Sequence, residues 1–586
     1  MAGFVGACSR ALSVTEASVA RAAQMTVYSP KATEVPVFAD RALIVHRSFF
    51  GFLETTRNHA QAGGLHAWVD GEIYNQAELA TAPGEVFADT LLRHYRDGRL
   101  EQLLARVDGV YIALLYDTDR RQLHVLVDRY GLRPFYLYHG QGHLLFGAEV
   151  KCFLELETFT PRIRRDVVDS FMHLEHFLGD TTWFEGVWVA APSTWYTYSL
   201  DDDSLRQKRY WTWAAMKPRT LTLDEAAEEM GMLLDQANKS RAIHDGYTVG
   251  VALSGGMDSR AILAAVHEQN PPTYTFGIEG SADVAVAKQV VAVAGVTHIA
   301  YDTHVDHWLE QRFSGIWKTD GMFNVYHMHY SHLMDKIAAV MDVNLSGFLG
   351  DAVIGGTYLS KKGKTFLSQR INTEVARHYY GPYYTQCDLN DSFFDLDKVD
   401  PYLFYNRGRR MIGMGAEEAA KIIPQRVPFM DNKLMELSYA LPDAYRVNSG
   451  VYYRALLRKY PAFYETIPNA SSGVPLTEHP TLAYALRKKY NKLVYAVKYK
   501  LGIPTSYTDV YNWIKVPETA AAIRQLLDPK TALYAQYTSD DYVTKFLEPH
   551  VQGKHNYMKQ VMGAVTVEIW LQQVFNKKYR RYEAKH

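Results

Sequence analysis

The stretch that most constrains how this chain can fold is Tyr247–Arg260, which reads YTVGVALSGGMDSR. Thr248 to Leu253 is a short apolar, β-branched run of the kind that forms a fully buried strand. It breaks at Ser254-Gly255-Gly256, and a helical apolar pattern through Met257, Ile262, Leu263 and Val266 follows at once. Strand, small-residue turn and helix start together leave backbone N–H groups at the positive end of a helix dipole, a site suited to phosphate. Gly255 and Gly256 are expected to let the backbone approach the anion and to take dihedrals closed to other residues. Ser254 and Ser259 add hydroxyl donors, and Asp258 offers a hard oxygen ligand for magnesium. No Gly-Lys-Ser/Thr follows the turn, so this is not a Walker A loop.

The full string S-G-G-x-D-S resembles the pyrophosphate-binding loop of the ATP pyrophosphatase (PP-loop) enzymes, which split ATP between its α and β phosphates. A lone Gly-Gly would read as an ordinary turn. The complete motif between a strand and a helix points to nucleotide, and is silent about what becomes adenylylated.

The rest of the chain bounds the setting. Its 586 residues suffice for two to four domains with large cores. With 63 basic against 64 acidic residues, the balance argues against a nucleic-acid or membrane-surface protein. Cys8, Cys152 and Cys387 are too widely spaced for a disulfide framework or a zinc pattern, which fits a reducing cytoplasm. No apolar stretch approaches the ~20 residues that span a bilayer, and the first residues lack the features of a signal peptide. In the first third, Val110–Tyr116, Gln122–Val127 and His143–Phe146 read as strands and Phe87–Tyr95 as a helix. YHMHYSHLMDK, with His327, His329 and His332, reads as a helix whose histidine spacing does not suit zinc.

Landmarks along the chain then fall into one order. Met1-Ala-Gly-Phe-Val-Gly6, Asp70-Gly-Glu-Ile-Tyr-Asn75, Ala88-Asp89, Asp128-Arg-Tyr-Gly-Leu-Arg-Pro-Phe-Tyr136 and Phe146-Gly-Ala-Glu-Val-Lys151 precede the PP-loop. Tyr274-Thr-Phe-Gly-Ile-Glu-Gly280 with Asp283, Leu345-Ser-Gly-Phe-Leu-Gly-Asp351 and Arg426-Val-Pro-Phe-Met-Asp431 follow it. This order resembles the asparagine synthetase B superfamily over nearly the whole chain, as a divergent member akin to β-lactam synthetases and lasso-peptide cyclases. The resemblance implies an α/β protein. An N-terminal-nucleophile-type, stacked-sheet glutaminase-like domain would span residues 1–205, its boundary in the polar stretch Asp201–Arg209. A parallel-sheet PP-loop synthetase domain with a helical C-terminal half would span 206–586.

The departures from that family are informative. Its nucleophile is a cysteine directly after Met, and here that position is Ala2. A methyl group cannot attack glutamine's carboxamide. The family's Asn-Gly-Glu becomes Asp70-Gly-Glu, placing an acid where the oxyanion's donor is expected. Together these read as a retired glutaminase. In the second ATP loop the family's glutamate is Phe348, which suggests the wall of a pocket for a larger substrate. The stretch matching a family lysine, Ile467–Gly473, has none; Arg260 or the cluster Arg407, Arg409 and Arg410 are candidates to replace its charge, and Glu417-Glu418 to supply a base.

The expected activity is an ATP-dependent, AMP-forming amide ligase using ATP and Mg2+ on a small-molecule or peptide carboxylate and an amine donor. Ser254, Gly255, Gly256 and Ser259 would hold pyrophosphate; Leu253, Phe276, Ser346 and Gly347 would border adenosine; Asp258 and Asp351 would hold the metal, with Arg260 as a catalytic cation. A cytoplasmic protein that could form a homodimer, without nucleic-acid or membrane partners, fits this reading. Two alternatives stand beside it: a glutamine-dependent asparagine synthetase with Ala2 introduced by mutation, and a non-catalytic ATP-binding scaffold.

Overall fold

A computed structural model describes residues 3–53, 58–303, 308–478, 481–500 and 506–580. The N-terminal part is a pair of stacked six-stranded antiparallel sheets. In the first, the order is Val187–Val189, Tyr136–Gly140, His143–Gly147, Phe4–Ser9, Leu43–Phe50, Ala32–Ala39. In the second it is Ser204–Arg209, Thr194–Ser199, Gln122–Val127, Gly109–Asp117, Leu65–Ile73, His59–Ala62. Alternating side chains from both sheets, among them Phe4, Val45, Phe146, Leu114 and Val125, interdigitate as one buried layer. The strands expected at 110–116, 122–127 and 143–146 are present, extended by a residue or two where they differ, and the expected helix spans Phe87–Arg96.

Ser204–Arg209 pairs along its whole length with Thr194–Ser199, so the second sheet runs to Arg209. The next long element, the helix Leu223–Arg241, starts at a capping box in which Thr222 and Glu225 exchange side-chain and backbone hydrogen bonds.

Five parallel strands follow, in the spatial order His298–Tyr301, Thr273–Phe276, Val249–Ala252, Val343–Leu345, Gln425–Arg426. Numbered by sequence this is 3-2-1-4-5, a doubly wound order whose direction reverses between the first and fourth strands. Val249–Ala252 pairs with a parallel strand on each side, the central place that its continuous apolar run suits. The C-terminal part is helical, built around Met558–Phe575, most of whose side chains are buried. Among the described residues no helix is long and apolar enough to cross a membrane.

The two parts are joined by ion pairs between buried arginines and half-buried carboxylates. Arg426 grips Glu72 with Nη2 at 2.6 Å and Nε at 3.0 Å, and Arg241 bridges Asp108 and Asp431 at 2.9 Å each. Such pairs fix the register of two units more than they stabilise either one.

Candidate active site

The strand order determines where a ligand fits. In an open α/β sheet the crevice lies beyond the carboxyl ends of the strands, where the winding reverses. Here that point is flanked by residues 253–257, leaving the first strand, and 346–350, leaving the fourth.

The first of these loops closes on itself. Ser254 N–H donates to Ser259 Oγ at 2.9 Å, the two hydroxyl oxygens lie 3.0 Å apart, and Gly256 N–H donates to Ser254 Oγ at 3.2 Å. The Asp283 carboxylate lies close by, 3.1 Å from where a Cβ on Gly255 would stand. A bound anion would have to exchange these internal partners for its own oxygens. The glycines also act differently from expectation, since neither has a positive φ. A Cβ on Gly255 would lie 2.4 Å from Ala470 Cβ and 2.9 Å from Asp283 Cα, so Gly255 permits close packing beneath the loop. A Cβ on Gly256 would meet only Ser254 Oγ, at 3.2 Å.

The second loop lies across the start of the helix Asp258–Val266. A Cβ on Gly350 would sit 2.5 Å from Asp258 Cγ, and one on Gly347 would sit 3.0 Å from Ser259 N. These positions therefore need glycine. Leu349 between them holds φ +64°, a costly conformation for a branched-chain residue. The loop thereby delivers Asp351 N–H to Asp258 Oδ2 at 2.9 Å. The other partners of the two carboxylates are neutral hydroxyls. Tyr452 donates to Asp258 Oδ1 at 2.8 Å, while Thr357 and Ser449 (3.1 Å) donate to Asp351. Burial, followed by the charge of Asp351, pushes the Asp258 carboxyl up to about 7. No Lys or Arg forms an ion pair with either group among the described residues. Two facing carboxylates with only neutral donors suit a divalent cation. Magnesium is characteristically held by one or two protein carboxylates plus phosphate oxygens and water, so a larger ligand cluster is not required. Among the described residues no group of three or more acidic, histidine or cysteine side chains could hold a metal.

Arg260 does not point into this space. It is fully buried, and its guanidinium donates to the carbonyls of Pro468 (2.8 Å), Ile467 (3.1 Å), Phe463 (3.3 Å) and Gly255 (3.4 Å). Together with Ala470 N–H donating to Gly255 O at 3.1 Å, it staples residues 467–470 onto the PP-loop. Arg409 and Arg410 are likewise turned away, toward the carbonyls of Ala190, Gly179 and Thr181 in the N-terminal part. Arg260, Arg409 and Arg410 thus spend their donors on backbone carbonyls and do not face the Asp258–Asp351 pair as expected.

Leu253 is buried, with its N–H on Tyr274 O at 2.8 Å and its carbonyl accepting from Thr275 Oγ1 at 2.6 Å. Phe276 ends its strand half-buried between the rings of Tyr330 and Tyr507. Ser346 N–H donates to Arg426 O at 2.9 Å, which ties the second loop to the edge strand.

Phe348 borders an apolar cavity between the two parts, lined also by Val110, Leu132, Pro134, Gly413 and Glu417. Its volume is about 40 Å³, room for little more than one or two waters, so it is not a pocket for a larger substrate. Glu418 is buried away from it, accepting a hydrogen bond from Ser331, and burial raises its pKa. The expected helix over YHMHYSHLMDK is instead two 3-10 turns, Val325–His327 and Ser331–Leu333, ahead of the helix Met334–Ala338. Asn324 caps the first turn through its side chain and draws the chain out of helical geometry.

In the N-terminal part Ala2 lies outside the described residues. Asp70 is almost wholly buried, its Oδ1 accepting from Arg47 Nε at 3.0 Å and Nη2 at 2.9 Å, its Oδ2 pairing with Arg133. Cys8 is buried in the strand Phe4–Ser9, and burial reinforced by Asp40 pushes its thiol far up. A thiol held neutral is a poor nucleophile.

Sequence reasoning missed Tyr452, Thr357 and Ser449. Nothing in their local pattern separates them from the chain's 41 tyrosines or its other hydroxyl residues.

Comparison with known proteins adds a family context to this geometry. Residues 59–211 match the glutamine amidotransferase domain family, and residues 229–387 and 418–572 match the asparagine synthase family. The chain is 22% identical to asparagine synthetase [glutamine-hydrolyzing] 1 of Bacillus subtilis, over 89% of its own length and 87% of that protein's. A putative asparagine synthetase of Mycobacterium bovis is 28% identical over 43% of this chain and 41% of its own. The amidase chry2 of Gibberella zeae is 29% identical over 36% of this chain and 31% of its own.

Proposed function

Because the chain belongs to the asparagine synthase family, whose description covers more than half of it, we propose that it is an ATP-dependent amide ligase. In this reading a carboxylate attacks the α-phosphate of ATP, pyrophosphate leaves, and an amine displaces AMP from the resulting acyl-adenylate. The observation that carries it is the Asp258–Asp351 pair at the reversal point of the sheet, next to the Ser254–Ser259 loop. Magnesium held there would neutralise charge on the departing pyrophosphate. Ser254, Gly256 and Ser259 would turn their donors from each other to its oxygens, and Gly347 would leave space beside them.

We further propose that the protein does not draw its nitrogen from glutamine. Ala2 has no nucleophilic atom, Cys8 is buried, and Asp70 is locked between Arg47 and Arg133. The nitrogen then comes from free ammonia or from a substrate amine, in a cytoplasm that keeps Cys8, Cys152 and Cys387 reduced. The test is pyrophosphate release from MgATP across a panel of carboxylates, each with ammonia, with glutamine and with primary amines. Release with an acid and an amine, but not with glutamine as sole nitrogen source, supports the reading. Absence of release across the panel, with MgATP still bound, favours a nucleotide-binding scaffold.

A further inference from the structure

The helix Leu482–Lys500 is a 19-residue element whose apolar side faces water. Leu482, Leu486, Tyr490, Leu493 and Val497 are 77, 59, 65, 64 and 50% exposed. Their spacing of four, four, three and four residues puts them on one ridge, a sector of about 80° at 3.6 residues per turn. The opposite side rests on the protein: Asn491 Nδ2 donates to Ser472 O at 2.8 Å and Tyr495 OH to Ala470 O at 3.3 Å. The helix therefore stands on the same residues 467–473 that Arg260 and Ala470 hold against the PP-loop. A ridge of five large apolar side chains in water is unusual on a protein that works alone.

Charge says what would cover it. Residues 482–500 include six Lys or Arg and no Asp or Glu, in a chain whose charge as a whole is balanced. Lys489 and Lys492 are exposed along one flank of the ridge. A second copy of this chain would set one such cationic helix against another, and like charges across a helix pair repel. A bilayer-binding helix presents a broad apolar face of Trp, Phe or Leu, whereas this ridge spans only about 80°. A narrow apolar seam with flanking charges is the pattern by which one helix packs on another.

We propose that Leu482–Lys500 is a docking helix for an acidic amphipathic helix of a partner protein or peptide. If the ligase reading holds, that partner is the bearer of the carboxylate, brought to the rim of the adenylation site. The docking itself does not depend on that reading.

The probe is a synthetic four-heptad peptide with Leu at the seam positions and Glu beside them, added to the full-length protein. Its lysine counterpart serves as control, with binding followed by fluorescence anisotropy. The acidic peptide should bind and the lysine peptide should not, with affinity falling as salt rises. The double change Leu486→Asp and Leu493→Asp should weaken binding at least about 10-fold, while MgATP affinity and melting temperature stay at the parent's values. Lys489→Glu with Lys492→Glu, which preserves the apolar ridge, should lower affinity for the acidic peptide and raise it for the lysine peptide. The proposal is overturned if the acidic peptide does not bind, or if neither double change alters binding. It is also overturned if vesicles of phosphatidylserine and phosphatidylcholine bind the protein and the peptide does not. Loss of MgATP binding in the parent would refute the ligase reading and leave the docking result standing.

Discussion

Two aspartates, Asp70 and Asp258, show how one side chain is given opposite tasks in the two halves of this molecule. Asp70 is sealed between the sheets with a guanidinium on each carboxylate oxygen, Arg47 and Arg133. Its charge is cancelled within the protein. Asp258 sits at the mouth of a parallel sheet and faces a second carboxylate, Asp351, with only a backbone N–H and a tyrosine hydroxyl as donors. Among the described residues no cation pairs with it, and burial, followed by the charge of Asp351, pushes its carboxyl up to about 7. A paired buried carboxylate is architecture, whereas an unpaired couple has the donor chemistry that suits a cation.

Substitution separates the two most sharply. Asp258→Asn and Asp351→Asn keep side-chain volume and remove a charge, and each should lower acid-dependent ATP–pyrophosphate exchange by about 1000-fold or more with little loss of melting temperature. Parent-level exchange in either variant would mean that residue holds no metal. Asp70→Asn should do the reverse, leaving exchange intact while reducing stability by about 3 kcal/mol in denaturant titration, because two buried guanidiniums lose their counter-charge. A fully stable Asp70→Asn variant would break the comparison.

Protons and magnesium should compete at Asp258 and not at Asp70. With the Asp258 carboxyl at about 7, lowering the pH through that value adds a proton where the cation would bind. The apparent magnesium affinity, read by exchange or calorimetry, should therefore fall up to about 10-fold per pH unit below about 7 and level off above it. In metal-free protein the sign for stability is also set. The folded state holds this proton more tightly than the unfolded chain, so the contribution of Asp258 is fully present below the ordinary carboxylate range and is lost as pH rises through about 7. Asp258→Asn should flatten that part of the melting-temperature profile.

The smallest effect is expected at Arg260. If it positions residues 467–470 and does not touch the reacting atoms, Arg260→Lys should raise the KM for ATP about 3- to 10-fold with a lesser change in kcat, because one ammonium cannot reach four carbonyls spread over two segments. A collapse of kcat at unchanged KM would return Arg260 to the catalytic role that its place after the loop suggests.

The sequence by itself determined the strand–turn–helix at Thr248–Val266 and the strands over 110–116, 122–127 and 143–146. Each is written within one short segment: apolar β-branched runs, small residues at the break, and a switch from period 2 to period 3.6. Contacts between distant segments were decided by the tertiary structure. Asp258 meets Tyr452 across 194 residues and Asp351 across 93, and Arg260 reaches Pro468 across 208. Gly255 looked like a residue for backbone freedom and proved to make room for Ala470 and Asp283. Phe348 looked like the wall of a substrate pocket and borders instead a cavity of about 40 Å³ between the two parts. Periodicity and motif record what a segment does with its own backbone. The partner that a charged or aromatic side chain finds depends on how whole layers pack, which no local pattern encodes.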